Sequence, residues 1–137
     1  MIKQFWINLP VKDIPKSKAF FTKIGFKLNT QQSNGANSAC FMIGEKNAVL
    51  MLFDEPTFKG FINSEILNAQ QLTEVLLSFD AESKEEVDEL VEKVIAAGGT
   101  SNHKPSEMKG FMYSCLFTDL DGHKWNILYM DMSKLPK

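Results

Sequence analysis

The sequence predicts an α+β fold built from two βαβββ repeats. Three observations lead there. The order strand, helix, apolar hairpin occurs twice along the 137 residues. Each helix carries a start signal and a glycine stop. The two hairpins also match in length, with eleven residues from Cys40 to Met51 and eleven from Cys115 to Asn126. A single unit would leave one sheet face open, so the two sheets are expected to curve around a shared cavity.

In the first repeat, residues 1–53, FWINLPV alternates as a strand should. Asp13 and Pro15 open a helix whose inner face carries Phe20 and Ile24, and Gly25 closes it. ACFMI, the polar turn GEKN and AVLMLF then form the hairpin. The second repeat, residues 73–132, starts with the strand EVLLSF. Ser83 and Glu86 make a capping box, and Val87, Leu90, Val91, Val94 and Ile95 form one apolar stripe ended by Gly98 and Gly99. After a connector at residues 100–110 come FMYSCLF, the turn DLDGHK and WNILYM. Residues 54–72 read as a long connector between the repeats that carries Phe58 and Phe61.

The bulk numbers exclude several classes. Net charge is −2, from 15 basic and 17 acidic residues without a basic patch, so no nucleic-acid partner is expected. The longest apolar run, AVLMLF, is far too short for a bilayer, and MIKQFWINLPVK lacks the apolar core of a secretion signal. Two cysteines do not make a disulfide framework. A cytoplasmic protein without membrane association, its thiols reduced, is the expectation.

Three segments in order resemble the vicinal oxygen chelate superfamily, which groups glyoxalases, bleomycin-resistance proteins and extradiol dioxygenases. They are NLPVKDIPKSKAFFTKIGFKL, SFDAESKEEVDELVEKVIAAGG and FTDLDGHKWNI, and with the strands between them they cover nearly the whole chain. The resemblance implies one divalent metal held by four side chains, one from the first and one from the last strand of each repeat. Carried over to this chain, those positions are Trp6, Met51, Glu74 and Asn126. An indole N–H only donates and a thioether is soft, so this set does not suit Fe, Mn, Ni or Zn. No metal ligand and no cofactor is therefore expected, with a divalent metal as the alternative. His123 belongs to the hairpin turn and His103 to an exposed connector.

The same resemblance turns Trp6, Asn8, Pro10, Val49, Met51, Phe53, Glu74, Leu76, Ser78, Asn126 and Leu128 toward the cavity, together with Met112, Ser114 and Leu116. Phe5, Ile7, Leu9 and Val11 should back onto the helices, as should Cys115 and its counterpart Cys40. Phe58, Phe61, Met108 and Phe111 are candidate lids, and Met108-Lys109-Gly110 reads as flexible enough to move. The expected ligand is a small, partly hydrophobic molecule contacting Trp6, Asn8, Met51, Phe53, Leu76, Ser114 and Asn126. Two alternatives stand beside this binding role. One is a lyase, isomerase or dioxygenase, metal-dependent or using Glu74 as base; the other is an interaction protein whose cavity is filled. The resemblance also implies a homodimer.

Overall fold

The computed structural model describes residues 1–33 and 35–134. The chain divides into two compact units, Met1–Asn68 and Ala69–Lys137. The first runs β1 (Trp6–Val11), α1 (Ile14–Lys23), β2 (Lys27–Leu28), β3 (Ser38–Ile43), β4 (Ala48–Asp54) and α2 (Glu55–Ile62). The second runs β5 (Leu76–Asp80), α3 (Lys84–Ala96), β6 (Ser106–Met108), β7 (Met112–Thr118) and β8 (Lys124–Met130). The βαβββ plan is thus present twice, with β2 and β6 as the short strands that complete it. Each unit holds one four-stranded sheet, in the orders β1-β4-β3-β2 and β5-β8-β7-β6. In both, the first strand pairs in parallel with the last and the remaining pairs are antiparallel.

Alternation gives each sheet a helix side and an open side. In the first unit Val11, Phe41, Leu50 and Leu52 pack with Phe20, Phe21 and Ile24 into a buried core. The Phe21 ring stacks on Phe26 at 5.5 Å and meets Phe41 at 5.8 Å. In the second unit Phe117 stacks on Trp125 at 6.1 Å, Phe79 lies edge-on to both, and Val87, Val91 and Val94 of α3 are buried. Aromatic pairs of this kind add about 0.5–1.5 kcal/mol each beyond burial.

The helix caps follow from side chains. The Asp13 carboxylate accepts from the Lys16 N–H at 3.0 Å, and the Ser83 hydroxyl accepts from the Glu86 N–H at 3.1 Å. The capping box is offset by one residue: the Glu86 carboxylate reaches the N–H of Glu82, at 3.4 Å. Four expectations are corrected. Residues 55–62 of the supposed connector form α2, capped by Asp54, whose carboxylate accepts from the Thr57 N–H at 3.0 Å. Phe5 precedes β1 and is 82% exposed, having no neighbouring strand to set its side. Ile95 stands outside the α3 stripe and is 55% exposed, because Val87, Val91 and Val94 already fill the helix face that meets the sheet. Residues 106–108 of the supposed connector at 100–110 form strand β6, so Met108 is a strand residue, and the Lys109–Gly110 turn after it has positive φ at both residues.

The turn between β7 and β8 is built around Asp119, which is 5% exposed. One carboxylate oxygen accepts from the N–H groups of Asp121 and His123, both at 3.0 Å, and the other accepts from the Trp125 indole N–H at 3.0 Å. Burial pushes this carboxyl above its ordinary pKa, against the opposing pull of the His123 charge and these hydrogen bonds. Gly122 sits beside it at φ +93°, and a Cβ there would lie 2.6 Å from the Gln70 nitrogen and 2.7 Å from the Ala69 carbonyl carbon. The backbone of residues 69–70 thus crosses the turn in contact, and the Gln70 amide donates to the Leu120 carbonyl at 3.3 Å.

Two outcomes follow for this turn. Gly122→Ala has to displace backbone as well as adopt a left-handed conformation, and should lower stability by roughly 1–3 kcal/mol in urea unfolding. An unchanged midpoint would contradict the close crossing. A carboxyl whose pKa is raised by folding stabilises the folded state most at low pH, and that contribution fades as pH rises through the folded value. The stability advantage of the native chain over Asp119→Asn should therefore shrink as pH rises above the ordinary aspartate value of about 3.9; a growing advantage would reverse the sign argued here.

Candidate functional site

The candidate site is the open side of the two sheets. In the first unit the register places Trp6 opposite Val49, Asn8 opposite Met51 and Pro10 opposite Phe53. Across β4, β3 adds Met42, Cys40 and Ser38 opposite those same three residues. The result is three rows: Trp6–Val49–Met42, Asn8–Met51–Cys40 and Pro10–Phe53–Ser38. Trp6 is 50% exposed and Asn8 is exposed, while Met51 and Phe53 are half-buried. Helix α2 packs on β1 and β4 and sets the Phe61 ring edge-on to Phe53 at 4.9 Å. Phe58, on the same helix, is half-buried.

In the second unit Leu76 pairs with Lys124 and Ser78 with Asn126. On the other flank of β8, Leu116 stands opposite Asn126, Ser114 opposite Leu128, and Met112 opposite Met130. Leu76 and Leu116 are each 52% exposed. Met108 pairs with Met112 and so belongs to this face as a strand residue; it is not a lid. Phe111 lies in the β6–β7 turn, and its carbonyl accepts from the Asp131 N–H at 2.7 Å, which ties that turn down.

The register corrects one site residue. Glu74 is not on the first strand of its repeat, because β5 begins at Leu76 and Glu74 lies in an exposed bend before it. Trp6 sits two residues before the Asn8–Met51 pair; two residues before the equivalent Ser78–Asn126 pair is Leu76. The corresponding positions are therefore Trp6 and Met51 in the first unit and Leu76 and Asn126 in the second. The first pair offers an indole N–H and a thioether, the second an alkyl chain and a carboxamide. Only Asn126 supplies an oxygen that a hard divalent ion would take. The set does not fit such an ion. Among the described residues no three His, Cys, Asp or Glu side chains come together as a group able to hold a metal.

Cys40 is corrected as well. It shares the open side with Met51, whereas Cys115, opposite Ile127, is on the helix side. The reason is turn length: residues 44–47 join β3 to β4 but residues 119–123 join β7 to β8, one residue more. With a period of two, equal sequence spacing then puts the two cysteines on opposite faces. Both are buried. The Cys40 backbone N–H donates to the Ser33 hydroxyl at 2.7 Å, and burial pushes its thiol pKa up while a side-chain hydrogen bond with Asn29 pulls the other way. The Cys115 thiol lies 3.3 Å from the Ser101 hydroxyl.

His123 proves to be a turn residue: its N–H donates to Asp119 and its carbonyl accepts from the Asp119 N–H at 3.1 Å. His103 is exposed. Sequence reasoning missed α2, although Asp54-Glu55-Pro56 repeats the Asp13-Ile14-Pro15 pattern that marked α1. Tyr113 lies on the helix side, as alternation from Cys115 predicts, and donates its hydroxyl to Asp88 of α3 at 2.7 Å, a bond that raises the phenol pKa to about 12.

The exposure of Trp6 gives a direct check on the open face. Trp125 is 3% exposed, and the sequence has two tryptophans. Iodide should quench the Trp6 share of the fluorescence, and Trp6→Phe should remove almost all of the quenchable signal. Quenching that persists in Trp6→Phe would mean that Trp125, not Trp6, meets the solvent.

Known proteins can be set against this geometry. A family model described as the Glyoxalase/Bleomycin resistance protein/Dioxygenase superfamily matches residues 3–127. A hypothetical protein from S. aureus is 35% identical, with a TM-score of 0.82 over 93% of this chain and 94% of that one. A glyoxalase/bleomycin resistance protein/dioxygenase family enzyme from Burkholderia phytofirmans PsJN is 22% identical, with a TM-score of 0.78 over 92% and 97%. The fosfomycin resistance protein FosX from Listeria monocytogenes, complexed with Mn(II) and a sulfate ion, is 23% identical, with a TM-score of 0.70 over 97% and 94%. The last two likenesses concern the fold. No curated protein matches significantly.

Proposed function

The chain belongs to the Glyoxalase/Bleomycin resistance protein/Dioxygenase superfamily, and from that premise we propose that it binds a small, partly hydrophobic molecule on its open sheet faces without a divalent metal. The observation that carries this reading is the side chains at the corresponding strand positions, Trp6 and Met51 in the first unit and Leu76 and Asn126 in the second. The Listeria relative is recorded with Mn(II); in this chain only Asn126 among these side chains offers an oxygen to a hard ion. Such a set is suited instead to apolar contact, with Asn8 and Asn126 as the polar groups that orient a ligand.

The enzyme reading that used Glu74 as a base has no support from its position, which is exposed and outside β5. We also propose that two copies associate, as the resemblance of nearly the whole chain to this superfamily implies. Among the described residues no helix is long and apolar enough to cross a membrane. The two free, buried thiols support a cytoplasmic setting.

Two measurements test the metal-free binding role. Equilibrium dialysis against Mn(II), Ni(II) and Zn(II) should leave far less than one equivalent on the chain. Saturation-transfer NMR against a panel of fragment-sized compounds should find binders whose signal survives added EDTA. Stoichiometric metal retention, or binding that EDTA abolishes, would return the chain to the metalloenzymes of its superfamily.

A further inference from the structure

The open side of the first sheet ends in a cation. On β2, Lys27 stands opposite Met42 and so extends the Trp6–Val49–Met42 row to a fourth strand. Its neighbour fixes the side, because Leu28 pairs with Phe41, which is 0% exposed in the helix-side core. The row therefore runs from an indole, through a valine and a methionine, to an ammonium. Three strand spacings separate its ends, about 14 Å at ~4.8 Å each. Val49 and Met42 are half-buried while Trp6 and Lys27 are exposed, so all four side chains meet solvent.

No carboxylate opposes that ammonium. Among the described residues Lys27 makes no ion pair and no hydrogen bond, whereas Lys59 is paired with Glu65 and Lys84 with Glu107. The residues of β1, β4 and β3 that share the open side are all neutral. Asp54, at the end of β4, is in register with buried Val11, on the other side, and caps α2. Glu45 belongs to the exposed β3–β4 turn, next to Lys46. Lys18 adds a second positive charge toward the same edge. Its ammonium donates to the Ser33 carbonyl at 2.6 Å, and the Ser33 hydroxyl accepts from the N–H of Cys40, which is diagonal to Lys27. An anion brought to this edge meets cations and no acid.

We propose that this face takes a small organic acid, its apolar body along the Trp6–Val49–Met42 row and its carboxylate at Lys27. The proposal rests on the small-molecule reading above and narrows it to amphiphilic anions. An indole and a thioether suit a planar apolar body. Lysine brings three donors on a flexible stem, so it can follow a carboxylate without a fixed geometry. Exposure limits what the charge adds. An exposed ion pair changes binding by roughly two- to fivefold, and salt weakens it. The apolar row supplies most of the affinity, and Lys27 selects the sign of the charge.

The test uses the full chain, labelled with 15N, and two ring-matched probes, 2-naphthoate and 2-naphthamide, in low and high salt. Naphthoate should saturably shift the Trp6 indole N–H and the backbone N–H signals of Met42 and Lys27. In low salt it should bind roughly two- to fivefold tighter than the amide. That preference should fade in high salt, vanish in Lys27→Gln and survive in Lys27→Arg. Lys27→Gln, at an exposed position of a two-residue strand, should leave the affinity for the amide unchanged. Equal binding of the two probes, or tighter binding of the amide, would overturn the anionic class while leaving a small-molecule site in place. A preference that persists in Lys27→Gln, or that high salt leaves intact, would remove Lys27 from the recognition and overturn the assignment. Failure of both probes beside binders from the fragment panel would overturn this proposal alone. Failure of both beside an empty panel would take the small-molecule reading down as well.

Discussion

Parallel pairing of the first and last strands, β1 with β4 and β5 with β8, sets Asn8 opposite Met51 and Ser78 opposite Asn126. Every other feature of the open faces depends on that register. A slip of one residue would carry Leu50 and Leu52, or Trp125 and Ile127, out of the core and into water. Each of these side chains is worth about 1.5–3 kcal/mol when buried, so the slip is prohibitive. The helix side therefore fixes the open side. Phe20, Phe21, Val87, Val91 and Val94 select which strand residues go under the helices, and what remains is what a ligand can reach.

In the second unit the register is held a second time, at the turn. Asp119 gathers two backbone N–H groups and the Trp125 indole, so the turn and the aromatic core are one structure. Tryptophan is in the core with its polar atom satisfied, which is the condition for burying it at all. Gly122 lets the backbone of residues 69–70 pass at a distance no side chain would permit. The carboxylate of Asp119 is thus kept out of water by the requirements of the turn. Its raised pKa is a cost of the architecture, and the turn needs no catalytic role to account for it.

Much of this was legible in the sequence. The repeat order, the Asp13 and Ser83 caps, the buried Phe20 and Ile24 and the placement of His123 in a turn all follow from local chemistry that acts within a few residues. What failed were statements about register. Glu74 was placed by counting from a strand whose start is set only by pairing with β8, and no local signal separates EVLLSF from a strand beginning two residues later. Cys40 was placed by equal spacing, which ignored that one turn is a residue longer than the other. Helix α2 was a different failure. Its Asp-x-Pro start was visible, but the segment reads as a connector because none of its residues is fully buried and no apolar stripe announces it.

The register also governs what chemistry the site can offer. A divalent ion needs several hard donors converging from separate strands, and the cost of stripping its water is recovered only by the full set. With β5 beginning at Leu76, the acidic candidate Glu74 lies outside the residues paired with β8. A single carboxamide cannot compensate for a hydration shell. The side chains present supply polarizable and aromatic surface instead. In the proposed role, the poor fit to a hard ion and the fit to a partly hydrophobic ligand therefore have one source: the side chains that strand pairing leaves on the open faces.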